Sequence, residues 1–240
     1  MPAVQRTSGY LICFMFFLPS SGGQTPPPHY QLIFHNRYVE VFKIELAPGR
    51  QAPIHDNIYD FVWIPLDNGL LEVKQSNGER KQMQLDAGDV RFFRSHEVNS
   101  LMNNTHGPVH GVVVEIRRRG ASRGNCGCTA DVESAICGCG RSPVLPPYWA
   151  LAIGEVTLAG TTLQSGQSFE AANNRDDTLL IAISRIQLRH EVNLGNQCES
   201  VPSPPTTLER LPGGLEWLPQ GRHHLTNVGD KPARFISIEF

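Results

Sequence analysis

Asn103-Asn-Thr-His-Gly-Pro-Val-His-Gly-Val-Val-Val-Glu-Ile116 and Asn227-Val-Gly-Asp-Lys-Pro-Ala-Arg-Phe-Ile-Ser-Ile-Glu-Phe240 share one pattern: an asparagine, a proline five residues on, and a glutamate seven beyond that. In each, a turn-forming stretch gives way to an apolar run bearing β-branched and aromatic side chains, the signature of a strand. The correspondence extends backward. Gly88-Asp-Val-Arg-Phe-Phe-Arg94 matches Gly213-Gly-Leu-Glu-Trp-Leu-Pro219, an apolar strand entered through a glycine turn. Gly49-x5-His55-x-Asn57-x2-Asp60, followed by Phe61–Leu66, matches Gly166-x5-Ala172-x-Asn174-x2-Asp177, followed by Thr178–Ile183. Two copies of one β domain account for this repeat.

Within each copy, short apolar runs alternate with polar residues and are cut by Gly, Pro, Asn and Asp, and no long stretch keeps helical periodicity. Val39–Leu46, Phe61–Ile64 and Leu70–Val73 all read as strands. Asn77-Gly78, between Glu72–Gln75 and Arg80–Met83, is the two-residue hairpin signal. The expected organisation is a first β domain over 38–116, an Arg- and Cys-rich connection over 117–147, and a second β domain over 148–240. Gly49 and Gly88 lie 39 positions apart and Gly166 and Gly213 lie 47 apart, so the second copy carries a longer excursion, placed around Asn193–Pro205.

Of 240 residues, 22 are Gly and 18 are Pro, one in six together, which suits a turn-rich folded chain and falls short of low-complexity composition. With 21 basic and 23 acidic residues the formal charge is −2, which gives no electrostatic case for nucleic acid as a partner. The aromatic residues Phe61, Trp63, Phe92, Phe93, Trp149 and Trp217 fall at strand positions and are read as core. No glycine-rich phosphate loop follows a strand, and no serine nucleophile elbow is present.

Residues 1–23 read as an export signal: Arg6 precedes the mostly apolar run Gly9–Leu18, and Pro19-Ser-Ser-Gly-Gly23 supplies small residues for cleavage. A permanent anchor would need about 20 apolar residues. Cleavage near Gly23 yields a secreted or periplasmic protein with no membrane attachment and a Pro-rich leader over 24–37. Export sets how the cysteines are read. Cys126 and Cys128, with Cys137 and Cys139, suit nested disulfides (126 with 139, 128 with 137) closing a short loop. A four-thiolate zinc site is the alternative, although structural zinc usually spaces its paired cysteines by two to four residues. Cys198 has no assigned partner.

Leu46-Ala-Pro-Gly49 and His55 in the first copy, with Gly213, Pro219-Gln-Gly221, His223-His224 and Asn227-Val-Gly-Asp230 in the second, resemble the two motifs of the cupin superfamily. The resemblance implies an all-β chain of two double-stranded β-helix (jelly-roll) barrels in tandem, a bicupin. It also implies pairing of two copies into a homodimer. The cupin motifs are G-x5-H-x-H-x3,4-E-x6-G and G-x5-P-x-G-x2-H-x3-N, whose three histidines and glutamate hold a divalent metal.

Most of that ligand set is replaced here. In the first copy His55 matches the first histidine, Asn57 replaces the second, Asp60 stands one place before the acid, and Asn99 takes the position of the last histidine. Arg94 and His96 replace the proline and glycine of the second motif, and Asn103 matches its closing asparagine. In the second copy Ala172 and Asn174 replace the first two histidines, Asp177 lies near the acid, and His223 or His224 fills the last place, since one residue is missing between Gly221 and Asn227. Amides are weak ligands beside imidazole. The favoured expectation is therefore no metal cofactor, with His55, Asn57, Asp60, His96, Asn99, Asn174, Asp177, His223 and His224 lining barrel mouths that take a small polar molecule, or a structural role. The competing expectation is a metal-dependent oxidase, dioxygenase or decarboxylase that binds Fe, Mn, Ni or Zn through His55, Asp60 and His96, or through Asp177, His223 and His224. Asp60 and Asp177 have a plainer reading as turn residues capping an inward strand.

Overall fold

Val39–Leu46 alternates and Phe61–Pro65 is apolar throughout, and in an extended backbone successive side chains of either run point to opposite faces. The computed structural model of the chain makes a strand of each and buries both on two sides: Val39 and Val41 opposite Phe42, Ile44 and Leu46 in the first, Val62 and Ile64 opposite Phe61 and Trp63 in the second. It describes residues 29–53, 58–117, 149–153, 156–173, 177–193 and 204–240. Within these there are eighteen strands and no helix. The first nine are β1 (His29–His35), β2 (Val39–Leu46), β3 (Gln51–Pro53), β4 (Asp60–Pro65), β5 (Gly69–Gln75), β6 (Arg80–Leu85), β7 (Arg91–Phe93), β8 (Val98–Asn103) and β9 (Val109–Ile116). The second nine are β10 (Trp149–Ile153), β11 (Val156–Leu163), β12 (Ser168–Asn173), β13 (Thr178–Ala182), β14 (Ile186–Asn193), β15 (Thr206–Arg210), β16 (Leu215–Leu218), β17 (Gly221–Asn227) and β18 (Ala233–Glu239).

The sheets repeat with the sequence. β1-β2-β9-β4-β7 and β3-β8-β5-β6 face each other in the first barrel, and β10-β11-β18-β13-β16 with β12-β17-β14-β15 do so in the second. Register repeats as well: Lys43 pairs with Val112 as Gly160 pairs with Ile236, and Leu71 pairs with Asn103 as Leu188 pairs with Asn227. The first described strand begins at His29, inside the stretch 24–37 read from sequence as a leader. There Tyr30 packs edge-on against Phe42 and Phe34 stacks on Trp217, so β1 gains enough burial to join the sheet. The segments 1–28 and 118–148, with all four clustered cysteines, lie outside the described residues, as does Cys198.

Three apolar clusters hold the molecule together. One fills the first barrel around Phe61, Trp63, Leu71 and Leu101, and a second fills the other barrel around Leu163, Leu180, Leu188 and Phe235. The third lies between the barrels: Val62, Ile64, Val112 and Val114 meet Leu179, Ile181, Ile236 and Ile238. The unalternating runs in β4 and β13 thus serve a lumen with one face and the partner barrel with the other. Contacts across this interface are reciprocal. Gly88 and Gly213, equivalent in the repeat, both sit at positive φ (85° and 73°), and a Cβ on either would lie 2.9 Å from Ile183 or Leu66, themselves an equivalent pair. Only glycine meets the turn conformation and the close approach together.

Candidate functional site

Alternation along two strands places the site in the second barrel. In β14, Ile186, Leu188 and His190 face inward while Gln187 and Arg189 face solvent; in β17, His223, Leu225 and Asn227 face inward and His224 is exposed. His190 is opposite Leu225, so His223 is its diagonal neighbour across the strand pair. The imidazoles meet with His190 Nε2 2.8 Å from His223 Nδ1, and His223 Nε2 lies 2.6 Å from the carbonyl oxygen of Pro219.

These contacts fix the tautomers of the neutral pair. A carbonyl only accepts, so His223 Nε2 carries hydrogen and His223 Nδ1 does not. His190 Nε2–H therefore donates to His223 Nδ1, leaving His190 Nδ1 as the single free lone pair. Burial lowers the pKa of His190, and the neighbouring His223 lowers it further. The arrangement offers one buried neutral acceptor in an apolar barrel, suited to a ligand hydroxyl or another hydrogen-bond donor.

Asp177, just before β13, accepts a hydrogen bond from the Gln220 backbone N–H at 3.1 Å. It thereby holds the Pro219–Gln220 turn whose carbonyl orients His223. Asp60 does the same in the first barrel, accepting from the Ser95 N–H at 2.8 Å. The structure brings Asp177, His190 and His223 to one end of the second barrel. It sends His224 to the outer face, opposite Glu170 on β12 and Glu191 on β14. His96 is exposed in the turn before β8 with φ 61°, and Asn99 lies on β8. His55, Asn57 and Asn174 are outside the described residues.

The first barrel has Val73 and Asn99 where the second has His190 and His223. Its polar interior is instead Tyr30 near Glu115, a buried carboxylate; burial, and then the Glu115 charge, push the Tyr30 phenol well above its ordinary pKa. Asn103 is buried, its amide bonded to the carbonyls of Leu46 and Gly107, which leaves no room for a glycan in the folded chain. His190 was missed by motif matching because it stands outside both cupin motifs. Its signal was the alternation Ile186-Gln-Leu-Arg-His190, which puts it on the apolar face.

No protein-family profile and no curated protein sequence matches this chain. Solved structures do. AerE from Microcystis aeruginosa superposes with a TM-score of 0.57 at 14% identity, covering 88% of this chain and 97% of that one. A cupin 2 conserved barrel domain protein from Leptotrichia buccalis gives 0.53 at 11% identity, covering 89% and 88%. The fold is that of a bicupin. An oxalate decarboxylase from Bacillus subtilis with Mn(II) centres is also similar, with a TM-score of 0.57 at 14% identity over 85% of this chain and 69% of that one.

The described residues do not fit the metal that the cupin resemblance implies. No group of three or more His, Cys, Asp or Glu side chains among them is placed to hold an ion. His223, at the last ligand position of the second motif, has both ring nitrogens engaged. A metal there would have to break its bond to Pro219 or to His190.

Proposed function

We propose that this bicupin binds a small polar molecule in its second barrel without a transition metal, with His190 Nδ1 accepting a hydrogen bond from the ligand. The observation that carries this reading is the chain of hydrogen bonds from His190 through His223 to the Pro219 carbonyl, which uses up the family's ligand histidine and leaves a neutral acceptor beside it. Elemental analysis of chelator-free protein should find it folded with far less than one transition-metal atom per chain. Ring ¹⁵N spectra should show the His190 Nδ1 resonance moving on addition of glycerol or glycolate, whose hydroxyls can donate to it, and not on addition of oxalate, which has no donor. Stoichiometric metal released by exchanging His223 for Ala would overturn the reading.

The alternative is a metal-dependent enzyme of the oxidase, dioxygenase or decarboxylase kind, drawing on His55, Asp60 and His96 or on Asp177, His223 and His224. The fold shared with the Mn(II) oxalate decarboxylase supports it. The outward position of His224 and the engagement of both aspartates weigh against it. The reading also includes export to the periplasm or medium, cleavage near Gly23, disulfides among Cys126, Cys128, Cys137 and Cys139, and a homodimer. N-terminal sequencing, mass spectrometry of the exported protein and light scattering test these in turn.

A further inference from the structure

A cleft of about 340 Å³ opens on the outer face of the first barrel, where the interface with the second barrel ends. On β2, the face that carries Val39 and Val41 into the interface continues as Lys43 and Glu45; on β9, the face carrying Val112 and Val114 begins at His110. Leu66 and Asp67, following β4, and Pro212 from the second barrel complete the walls.

The repeat supplies an internal control. The positions equivalent to Lys43, Glu45, Asp67 and His110 are Gly160, Thr162, Ser184 and Arg234. Both notches share a frame: the His110 N–H donates to the Asp67 carboxylate at 2.9 Å as the Arg234 N–H donates to the Ser184 hydroxyl at 2.9 Å. Their contents differ. Arg234 reaches across to the first barrel and donates to the Ala87 carbonyl at 2.7 Å, so its side chain bridges the two barrels. His110 instead turns onto its own neighbour, with Nδ1 2.6 Å from Asp67 Oδ2, so the equivalent notch stays open and has gained a lysine and a glutamate.

Lys43 and Glu45 form no ion pair among the described residues. The cleft therefore presents an unpaired ammonium and an unpaired carboxylate, with His110 Nε2 beside them and the apolar Leu66 and Pro212. Asp67 is engaged by the backbone N–H and ring of His110, which leaves Glu45 to repel a simple anion and Lys43 to repel a simple cation. We propose that this cleft binds a small zwitterion of the α-amino acid class, its carboxylate on Lys43, its ammonium on Glu45 and an apolar side chain against Leu66 and Pro212. The volume suits a ligand of that size, at the small end of binding pockets.

The test is titration of the full chain with L-leucine, with 4-methylpentanoate and 3-methylbutylamine as its single-ended analogues, followed by NMR shifts. L-leucine should perturb Lys43, Glu45 and His110, and each analogue, like each of Lys43→Gln and Glu45→Gln, should bind roughly tenfold more weakly. His110→Arg copies the second notch and should abolish binding while the thermal midpoint is kept. Equal binding of either analogue, unimpaired binding to His110→Arg, or no saturable binding of L-leucine would overturn the proposal. Shifts at His190 and His223 instead would overturn it too, while leaving the proposal for the second barrel's lumen intact.

Discussion

Trp63 occupies the space that a side chain at Gly111 would need: a Cβ there would lie 2.6 Å from Trp63 Cζ2. The equivalent positions in the second barrel hold Leu180 and Phe235, both buried. The two barrels thus solve one packing problem with opposite size orders, large on β4 and none on β9, or medium on β13 and large on β18. The Trp63 indole nitrogen is buried with no acceptor among the described residues, so shape holds the ring. Gly111→Ala should destabilise the protein by about 1–3 kcal/mol through overpacking. Combining Trp63→Leu with Gly111→Phe should recover part of the loss from the two single changes. Denaturant unfolding of wild type, Trp63→Leu, Gly111→Phe and the double variant checks this; strictly additive losses would show that the two sites are not coupled.

The interface between the barrels makes a second prediction. Ile236 is buried among residues of both barrels, and an aspartate there would place an unpaired charge between two apolar sheets. Ile236→Asp should cost more than about 4 kcal/mol, the range reached by buried unpaired charges. It should also lower hydrogen-exchange protection in the first barrel, on β4 and β9, as well as in the second. Loss confined to the second barrel would mean that the barrels unfold separately.

How much of this was legible follows from what sequence periodicity can carry. The hairpin at Asn77-Gly78 and the span of β2 could be read directly, because turn chemistry and alternation are local. β1 escaped because its register shifts between Leu32 and Phe34, which breaks the two-residue period. Phe61–Ile64 could be read as a strand, but only the assembled pair of sheets shows that it is buried on both faces, by its own lumen and by the other barrel. At the site, spacing left His223 and His224 undecided. Counting back in twos from the inward Asn227 selects His223, a constraint that the motif with its missing residue had obscured. The cleft beside the interface had no sequence signal, since its walls come from both barrels.

Asn103 and Asn227 act as equivalent clamps. Each side-chain amide donates to two carbonyls, Leu46 and Gly107 at 2.7 and 2.8 Å for Asn103, Leu163 and Lys231 at 2.9 and 2.8 Å for Asn227. Each side-chain oxygen accepts a backbone N–H two residues on, from Thr105 or Gly229. Replacement by Ala strands these partners and should cost about 1–3 kcal/mol at either site. Asp is expected to be worse than Ala, because it removes both donors and turns a charge toward two carbonyls. Unfolding midpoints decide the order, and an Asp variant as stable as wild type would refute the donor role.

His190 makes stability depend on pH. Its folded pKa is lowered, first by burial and then by His223, so the unfolded chain takes up a proton more readily than the folded one. The stabilisation this gives the folded state is fully present above the unfolded value of about 6.5 and is lost as pH falls toward and through the lower folded value. His190→Gln cannot titrate but keeps a donor for His223 Nδ1, so its stability should fall less steeply than that of wild type between about pH 6.5 and the acid limit of folding. The difference between the two slopes, measured by denaturant unfolding at a series of pH values, isolates this residue from the carboxylates that titrate in both proteins. Parallel slopes would mean that the His190–His223 pair carries a proton in the folded state as readily as in the unfolded chain, and the tautomer assignment would fail with it.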